Sequence, residues 1–241
     1  MDKEQSDKTS VTVENGQLNN VASQLAAVQS QIKTALNQRP PRYGIEPVEL
    51  VAVSKRQPDS KVDAALAAGQ RVFGENRVQE ASQRWKDRRM AYRDLSLHLI
   101  GPLQSNKVAE AVALFDVIEV VDRQKLAHAL AKEMANQNRY LPCYIQVNTG
   151  EEPQKSGILP SHVDDFTRFC KHDLALPIVG LMCIPPVDEE AAMHFAFLNT
   201  MAQRLDLPKL SIGMSGDYIE AIGFGATSVR VGSAIFGARE N

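Results

Sequence analysis

The segment Val48-Glu49-Leu50-Val51-Ala52-Val53-Ser54-Lys55 decides the fold of this chain. Its continuous apolar run is typical of a strand in a parallel sheet, because helices cover both faces of such a strand. Lys55 ends the run, immediately before a turn and a helical pattern. In α/β folds the carboxyl end of a strand opens onto the crevice that binds ligands. The Lys55 amine can bind an anion or form an imine there, or it can simply end the strand and extend into water.

Seven further runs of this kind follow Lys55, and amphipathic segments of helical period separate them. An open sheet of eight strands would expose two edges, whereas a closed barrel exposes none. We therefore predict an α/β protein that folds as a single (β/α)8 TIM-type barrel. The predicted strands are Val48–Ser54, Arg71–Gly74, Ser96–Ile100, Val117–Val121, Pro142–Asn148, Ile178–Cys183, Leu210–Ser215 and Ser228–Val231.

The N-terminal part of the chain has two different patterns. Residues 1–20 are rich in Asp, Ser, Gln and Asn and contain few large apolar side chains, which predicts a disordered polar tail. From Val21 to Leu36 apolar residues recur at helical spacing, and Pro40 and Pro41 end the pattern. We predict an extra N-terminal helix that covers a flank of the barrel, so that residues 21–241 form one domain. This helix does not by itself imply a dimer, and we expect a monomer.

Composition excludes several classes of protein. A chain of 241 residues with 44% apolar residues can bury a full core, and its net charge of −2 gives no overall attraction to nucleic acid. Three widely spaced cysteines fit neither a zinc site nor a disulfide scaffold, which favours the reducing cytoplasm. The five histidines lack the spacing of a helical metal pair, so we infer no metal. No apolar stretch approaches the roughly 18 residues of a membrane span, and the N-terminus lacks a signal-peptide pattern.

Small polar residues alternate with apolar ones at the ends of strands seven and eight. Alternate residues of a strand share one face, and we expect the small polar face to point into the barrel. An arginine on that face requires an anionic or acceptor partner, because an unpaired buried charge is very costly. The residues of this face are Ser211, Gly213 and Ser215 on strand seven and Ser228, Arg230 and Gly232 on strand eight.

The loop after strand eight has the features of a phosphate site. Gly232 and Ser233 open the short turn Ala234-Ile235-Phe236-Gly237, whose backbone N–H groups can bind a phosphate together with the hydroxyls of Ser215 and Ser233. Tight packing against a helix is the alternative role of these small residues. In a closed barrel strand eight lies beside strand one, so the phosphate would lie beside Lys55. An amine next to a phosphate site suits pyridoxal 5′-phosphate (PLP), which carries an aldehyde and a phosphate.

Eight segments of the chain match motifs of one protein family. They are Leu50-Val51-Ala52-Val53-Ser54-Lys55, Phe73-Gly74-Glu75-Asn76, Val78-Gln79-Glu80, His98-Leu99-Ile100-Gly101-Pro102-Leu103-Gln104-Ser105-Asn106-Lys107, Gln146-Val147-Asn148, Gly180-Leu181-Met182, Gly213-Met214-Ser215 and Val229-Arg230-Val231-Gly232-Ser233-Ala234-Ile235-Phe236-Gly237. These segments closely resemble the pyridoxal phosphate homeostasis proteins, the YggS/PROSC group. The resemblance covers Val21 to Arg239, and several of the shared motifs are long.

That resemblance implies the barrel of the alanine racemase N-terminal domain, with PLP held on Lys55 as an internal aldimine. Glu75 either orients the imine or the ring by a hydrogen bond, or pairs with a nearby arginine. The sequence leaves open whether Arg230 contacts the ring nitrogen or the phosphate. The residues that match cofactor-contacting segments of the family are Ser215, Arg230, Gly232 and Ser233, and those that match residues lining its pocket are Asn76 and His98.

The resemblance also implies a function. Racemases and decarboxylases on this barrel add a C-terminal β domain and take a second acid/base residue from a partner subunit, whereas this chain ends soon after the eighth strand. We therefore predict a carrier that buffers PLP and delivers it to PLP-dependent apo-enzymes, without strong catalytic activity. The alternatives are a PLP-dependent amino-acid racemase or lyase, and a phosphate-binding barrel in which Lys55 forms no imine. Lys155 is either a second aldehyde acceptor during transfer or a solvated loop lysine.

Overall fold

The computed structural model is a closed barrel of eight parallel strands that follow one another in chain order. It describes the backbone of residues 3–238 and the side chains of residues 20–238. The predicted (β/α)8 fold is confirmed, and the last strand pairs with the first as expected, with Arg230 opposite Val51. Each predicted strand boundary lies within one residue of the observed one. The strands are β1 Glu49–Val53, β2 Val72–Glu75, β3 Ser96–Leu99, β4 Val117–Val121, β5 Cys143–Val147, β6 Ile178–Cys183, β7 Lys209–Met214 and β8 Ser228–Val231.

A helix follows every strand and covers the outside of the barrel. Each helix returns the chain to the amino end of the next strand, which is the connection that parallel strands require. The last helix is a single turn that directly follows β8. The helices are α1 Lys3–Gln38, α2 Asp59–Ala67, α3 Val78–Ala91, α4 Val108–Leu114, α5 Gln124–Gln137, α6 Val163–Arg168, α7 Ala191–Arg204, α8 Tyr218–Gly223 and α9 Ser233–Phe236.

The extra N-terminal helix, α1, packs against α2, α8 and α9, as the apolar period predicts. Immediately after α1, Arg39 donates hydrogen bonds to the backbone carbonyls of Ile222 and Ala226, which ties the helix end to the C-terminal end of α8. The helix extends back to Lys3, but the side chains of residues 1–19 lie outside the described part, so the predicted disordered tail of residues 1–20 stays a prediction. The buried apolar residues of α1 are Val21, Leu25, Val28, Ile32 and Ala35.

The core lies between the helices and the outer faces of the strands. Phe73 on β2 and Trp85 on α3 are fully buried in this layer, with ring centroids 4.7 Å apart. The inside of the barrel differs, because its buried residues include Glu119 and Arg230. Burying charged groups costs free energy that an apolar filling would avoid. Their presence therefore marks the inside of the barrel as part of a site rather than only a packing layer.

Candidate functional site

A cavity of about 550 Å³ opens at the carboxyl ends of the strands, where TIM-type barrels carry their sites. It also receives residues from the loop of residues 154–156, after β5, and from the end of β6. Six of the seven residues predicted to contact a cofactor line this cavity. They are Lys55, Asn76, Ser215, Arg230, Gly232 and Ser233.

The seventh predicted residue, His98, does not line the cavity. Its side chain is 2% exposed and points toward the amino end of the barrel, where its Nε2 lies 3.6 Å from a carboxylate oxygen of Glu49. The prediction placed His98 on the correct face of β3 but at the wrong depth. Strand alternation identifies the inward face, and it does not identify which layer of the barrel a side chain reaches.

Lys55 lies two residues after the end of β1, in a segment whose position a buried carboxylate fixes. Glu75, at the end of β2, accepts hydrogen bonds from the Ser54 hydroxyl at 2.7 Å and from the Trp85 indole at 3.1 Å. Arg84 forms an ion pair with Glu75 at 3.1 Å and donates to the Ser54 carbonyl at 2.6 Å. Of the two roles considered for Glu75, the structure shows the arginine partner. The network therefore restrains the backbone on the amino-terminal side of Lys55.

The loops after β7 and β8 meet through Ser215. Its hydroxyl oxygen accepts hydrogen bonds from the backbone N–H groups of Gly232, at 3.1 Å, and Ala234, at 3.4 Å. A Cβ atom at Gly232 would lie 3.4 Å from the Cβ atom and the carbonyl oxygen of Val53, which shows that the backbone of this loop runs in contact with the end of β1. The predicted cluster of hydroxyl and N–H groups is thus present beside β1. Such a cluster is a general anion-binding arrangement.

A glycine brings Ser215 to this position. Gly213 has a φ of +90°, and a Cβ atom there would lie only 2.6 Å from the Cβ of Ala221. Only glycine adopts this left-handed backbone at no cost and also allows so close an approach to α8. Asp217 closes the loop, since its carboxylate accepts from the Met214 N–H at 2.5 Å. Glycine at position 213 therefore permits the backbone conformation that joins β7 to the loop of Ser215.

Arg230 crosses the inside of the barrel from β8. Its Nη1 donates to the carbonyl and the hydroxyl of Ser211, at 2.7 and 2.6 Å, and its Nη2 donates to the Cys183 carbonyl at 2.8 Å. The expected acceptor partners of an inward arginine are therefore present. A partner that sequence reasoning missed is Glu119 on β4, with a carboxylate oxygen 3.9 Å from Nη1. The sequence feature that indicates this partner is a single acidic residue within the apolar run of β4.

Glu119 and His98 form a buried ion pair. The Nδ1 atom of His98 lies 2.7 Å from Oε1 of Glu119. Burial by itself lowers the pKa of His98, but the hydrogen bond and the charge of Glu119, together with the charge of Glu49, raise it above its ordinary value. Burial likewise raises the pKa of Glu119, but His98, Arg230 and Ser211 together lower it below its ordinary value. Both shifts favour the charged forms of the two side chains.

This pair makes the stability of the protein depend on pH. The raised pKa of His98 gives a contribution that is complete below the ordinary value of 6.5 and is lost as the pH rises through the raised value. The lowered pKa of Glu119 gives a contribution that is complete above 4.5 and is lost as the pH falls. We expect urea denaturation to show the largest difference in unfolding free energy between wild type and a His98→Gln variant at pH values between these two limits. A difference that grows above pH 7 would contradict the assignment.

Residues 23–240 match the family model of the alanine racemase N-terminal domain. A pyridoxal phosphate homeostasis protein of Pseudomonas aeruginosa is 40% identical over 230 residues, which cover 92% of this chain and 97% of that protein. This chain belongs to the pyridoxal phosphate homeostasis protein family. The resemblance that the motifs carry is therefore confirmed over nearly the whole length of the chain.

Solved structures agree with this membership of the pyridoxal phosphate homeostasis family. PipY of Synechococcus elongatus, determined with PLP bound, has a TM-score of 0.76 and 36% identity, and the match covers 90% of this chain and 100% of PipY. An alanine racemase from Bartonella henselae has a TM-score of 0.68 and 16% identity, and the match covers 92% of this chain and 59% of that enzyme. At that identity the racemase shares the fold alone.

In this member of the pyridoxal phosphate homeostasis family, Lys155 also lines the cavity. Its Nζ atom lies 2.5 Å from a Glu152 carboxylate oxygen and 3.4 Å from the Pro185 carbonyl. The side chain is 29% exposed, so it is neither a fully solvated loop lysine nor a buried one. The structure thus brings a second amine to the cavity wall and pairs it with a carboxylate.

The three cysteines are not among the residues that line the cavity. All three are buried and unpaired with one another, and burial raises the pKa of Cys170 and Cys183 to about 12. Among the side chains of residues 20–238, no cluster of three or more His, Cys, Asp or Glu residues is arranged to hold a metal ion. Within the described part of the chain, no helix combines the length and the hydrophobicity that crossing a lipid bilayer requires.

Proposed function

We propose that this protein binds PLP in the cavity, holds it covalently through the Lys55 amine, and serves to buffer and deliver the cofactor without strong catalytic activity of its own. One observation carries the proposal: Lys55, the Ser215 and Gly232 cluster and Arg230 all line the same cavity. The family relatives bear the name of PLP homeostasis proteins, and PipY has been determined with PLP bound, which supports the choice of ligand.

The residues of the cavity fit the functional groups of PLP. When bound, PLP supplies an aldehyde that condenses with amines and a ring that withdraws electrons. The Lys55 amine suits the aldehyde, and the N–H groups that now meet the Ser215 hydroxyl suit the phosphate. Asn76 adds a further requirement, because its Oδ1 atom is buried without a hydrogen-bond partner among the described residues. A donor on the ligand, such as the ring hydroxyl, would supply the missing hydrogen bond.

We assign Arg230 to the ring nitrogen rather than to the phosphate. Its Nη1 is held by Ser211, which lies on β7 four positions before Ser215, so the guanidinium is drawn toward the inside of the barrel. A guanidinium stays charged in proteins, and it disfavours a proton on a nitrogen placed against it. Without that proton the ring withdraws electrons weakly. This property favours holding and release of the cofactor over racemase or lyase activity.

We also propose that the protein acts as a monomer in the cytoplasm and hands PLP to apo-enzymes that require it. The buried, unpaired thiols are compatible with a reducing compartment. The flank of the barrel formed by α2, α8 and α9 is covered by α1 of the same chain, so this flank needs no second copy. Delivery is tested by adding the loaded protein to a PLP-dependent apo-enzyme and following the recovery of that enzyme's activity against free PLP at equal concentration.

The direct test of the site is a visible absorption spectrum with added PLP, followed by borohydride reduction and peptide mapping. We expect an absorption band of lysine-bound cofactor and a reduced label on Lys55. A label spread over surface lysines, or no band at all, would overturn the proposal. A colourless protein that binds phosphate esters in general would instead favour a phosphate-binding barrel that uses Lys55 only as a charge.

The racemase or lyase alternative requires its own test. Loaded wild-type protein is incubated with single enantiomers of amino acids, and optical rotation and keto-acid formation are followed over hours. We expect no change above that of free PLP. A steady loss of optical activity that disappears in a Lys55→Ala variant would replace the carrier function with an enzymatic one.

A further inference from the structure

Four polar side chains form a continuous hydrogen-bonded path across the inside of the barrel, below the cavity. His98 on β3 meets Glu119 on β4 at 2.7 Å. The Ser211 hydroxyl on β7 donates to the other carboxylate oxygen of Glu119 at 2.5 Å. Arg230 on β8 in turn donates to the same Ser211 hydroxyl oxygen at 2.6 Å. The path therefore links one side of the barrel to the residue that forms part of the cavity floor.

The members of this path are almost completely withdrawn from water. Glu119 and Ser211 have no exposed surface, and His98 and Arg230 are 2% and 4% exposed. A buried ion pair commonly contributes less to stability than apolar residues of similar volume would. Stability alone is therefore a weak reason for charged groups in a barrel interior that Val, Ile and Leu fill in other barrels.

The path fixes one side of the Arg230 guanidinium and leaves the other side available. Its three hydrogen bonds use both N–H groups of Nη1 and one N–H of Nη2. Among the described residues, no acceptor is bound to the Nε–H group or to the second N–H of Nη2, and Arg230 lines the cavity. A guanidinium has no acceptor atom, so its orientation depends wholly on where acceptors are placed. Ser211 supplies two of them, and Glu119 holds the Ser211 hydroxyl.

We propose that Glu119 is a positioning residue: through the Ser211 hydroxyl it fixes the orientation of Arg230 at the cavity floor, and thereby the affinity for a pyridine ring in the cavity. The inference rests on the proposed function, because it concerns the same cavity. His98 binds the other carboxylate oxygen of Glu119, and this contact keeps the Glu119 carboxylate turned toward Ser211. No residue of the path other than Arg230 lines the cavity, so Glu119, His98 and Ser211 act through Arg230.

The charges around the path come from several strands. The charges of Glu119, Glu49 and Asp116 raise the pKa of His98, and the charges of His98 and Arg230 lower the pKa of Glu119. Tyr144 on β5 faces the same interior, where burial and the two carboxylates Glu119 and Glu49 raise the pKa of its hydroxyl. Tyr144 is therefore neutral over the ordinary pH range. His98 and Arg230 thus both lie against the same carboxylate, that of Glu119.

The test compares a Glu119→Gln variant with wild type, using pyridoxine 5′-phosphate as the probe. This compound lacks the aldehyde, so it reports the contacts of the ring and the phosphate without the bond to Lys55. We expect Glu119→Gln to weaken its binding about tenfold, the effect of losing one charge-assisted hydrogen bond. The band of bound PLP should also change its dependence on pH, which a merely structural role would not produce.

Two further variants separate positioning from folding. Ser211→Ala removes the link between Glu119 and Arg230 while the ion pair with His98 stays in place, and we expect a loss of affinity similar to that of Glu119→Gln. Glu49→Gln is the matched control, since Glu49 lies near His98 but contacts neither Ser211 nor Arg230 in the described hydrogen bonds. We expect it to change probe affinity by less than about twofold, as for a half-exposed ion pair.

The outcomes are distinct. Unchanged probe affinity and an unchanged pH profile in Glu119→Gln and Ser211→Ala would overturn the positioning role. If wild type binds neither PLP nor the probe, the proposed function fails. The positioning of Arg230 by Glu119 is then tested in the protein without ligand. There, ¹⁵N NMR of the Arg230 guanidinium should show slowly exchanging N–H signals in wild type that are lost in Glu119→Gln. Signals that persist in the variant would overturn the inference.

Discussion

A Lys55→Ala variant is expected to lose covalent PLP completely and to bind the cofactor about a hundredfold more weakly, equivalent to about 2.7 kcal/mol. The remaining contacts, at the Ser215 and Gly232 cluster and at Arg230, are noncovalent and stay in place. Bound cofactor should therefore leave the variant during prolonged dialysis, while wild type remains yellow. The measurement is the visible spectrum before and after dialysis, with borohydride reduction and mass spectrometry of the reduced protein.

A Lys107→Ala variant is the matched control for this experiment. Lys107 is a partly exposed lysine that pairs with Glu110 at 2.8 Å and does not line the cavity. It should keep the spectrum and the labelled peptide of wild type. A Lys55→Ala protein that retains PLP through dialysis, or one that carries the reduced label at full yield elsewhere, would show that Lys55 is not the covalent site.

A Glu75→Ala variant is expected to lose about 3 kcal/mol of unfolding free energy, because the buried Trp85 N–H loses its acceptor and Arg84 keeps only the exposed Asp59 as a carboxylate partner. Glu75 is fully buried and accepts from Ser54, Arg84 and Trp85. The substitution also releases the segment before Lys55, so the rate of covalent PLP attachment should fall together with stability. Urea denaturation measures the first effect, and the growth of the visible band after mixing with PLP measures the second.

Glu80→Gln provides the comparison for Glu75. Glu80 lies on α3 and pairs with Arg77 at 3.2 Å, with side chains that are 41% and 68% exposed, respectively. Surface pairs of this kind contribute up to about 1 kcal/mol, so we expect little change in stability and none in the rate of attachment. If Glu75→Ala behaved like Glu80→Gln in both measurements, the carboxylate of Glu75 would not restrain the segment that carries Lys55.

The barrel itself was predictable because its signals are local. The apolar run of Leu50 to Val53 identifies a strand covered on both faces, and the repeated alternation with helical segments identifies a closed parallel sheet. The helix from Val21 follows in the same way from its apolar period. Each strand or helix signal lies within one short run of consecutive residues, and the alternation is the order of these runs along the chain, so no knowledge of distant contacts is needed to interpret them.

Most of the candidate site was predictable for a topological reason. A parallel barrel collects the carboxyl ends of all its strands on one rim. Lys55 after β1, Asn76 after β2 and Gly232 after β8 must therefore face one cavity once the order of the strands is known. The position of Ser215 follows likewise, because β7 neighbours β8 in the barrel.

Only the tertiary structure decided what lies beneath that rim. Glu119 and Ser211 are 92 positions apart in the chain, and their contact exists because the strands that carry them face each other across the barrel. Periodicity says that His98 points inward, but the stagger of the strands decides that it meets Glu119 and Glu49 instead of the cavity. In the same way, Glu75 meets Arg84 because α3 folds back over β2. Local pattern thus determines which side chains turn inward, whereas the shape of the closed barrel determines which of them meet.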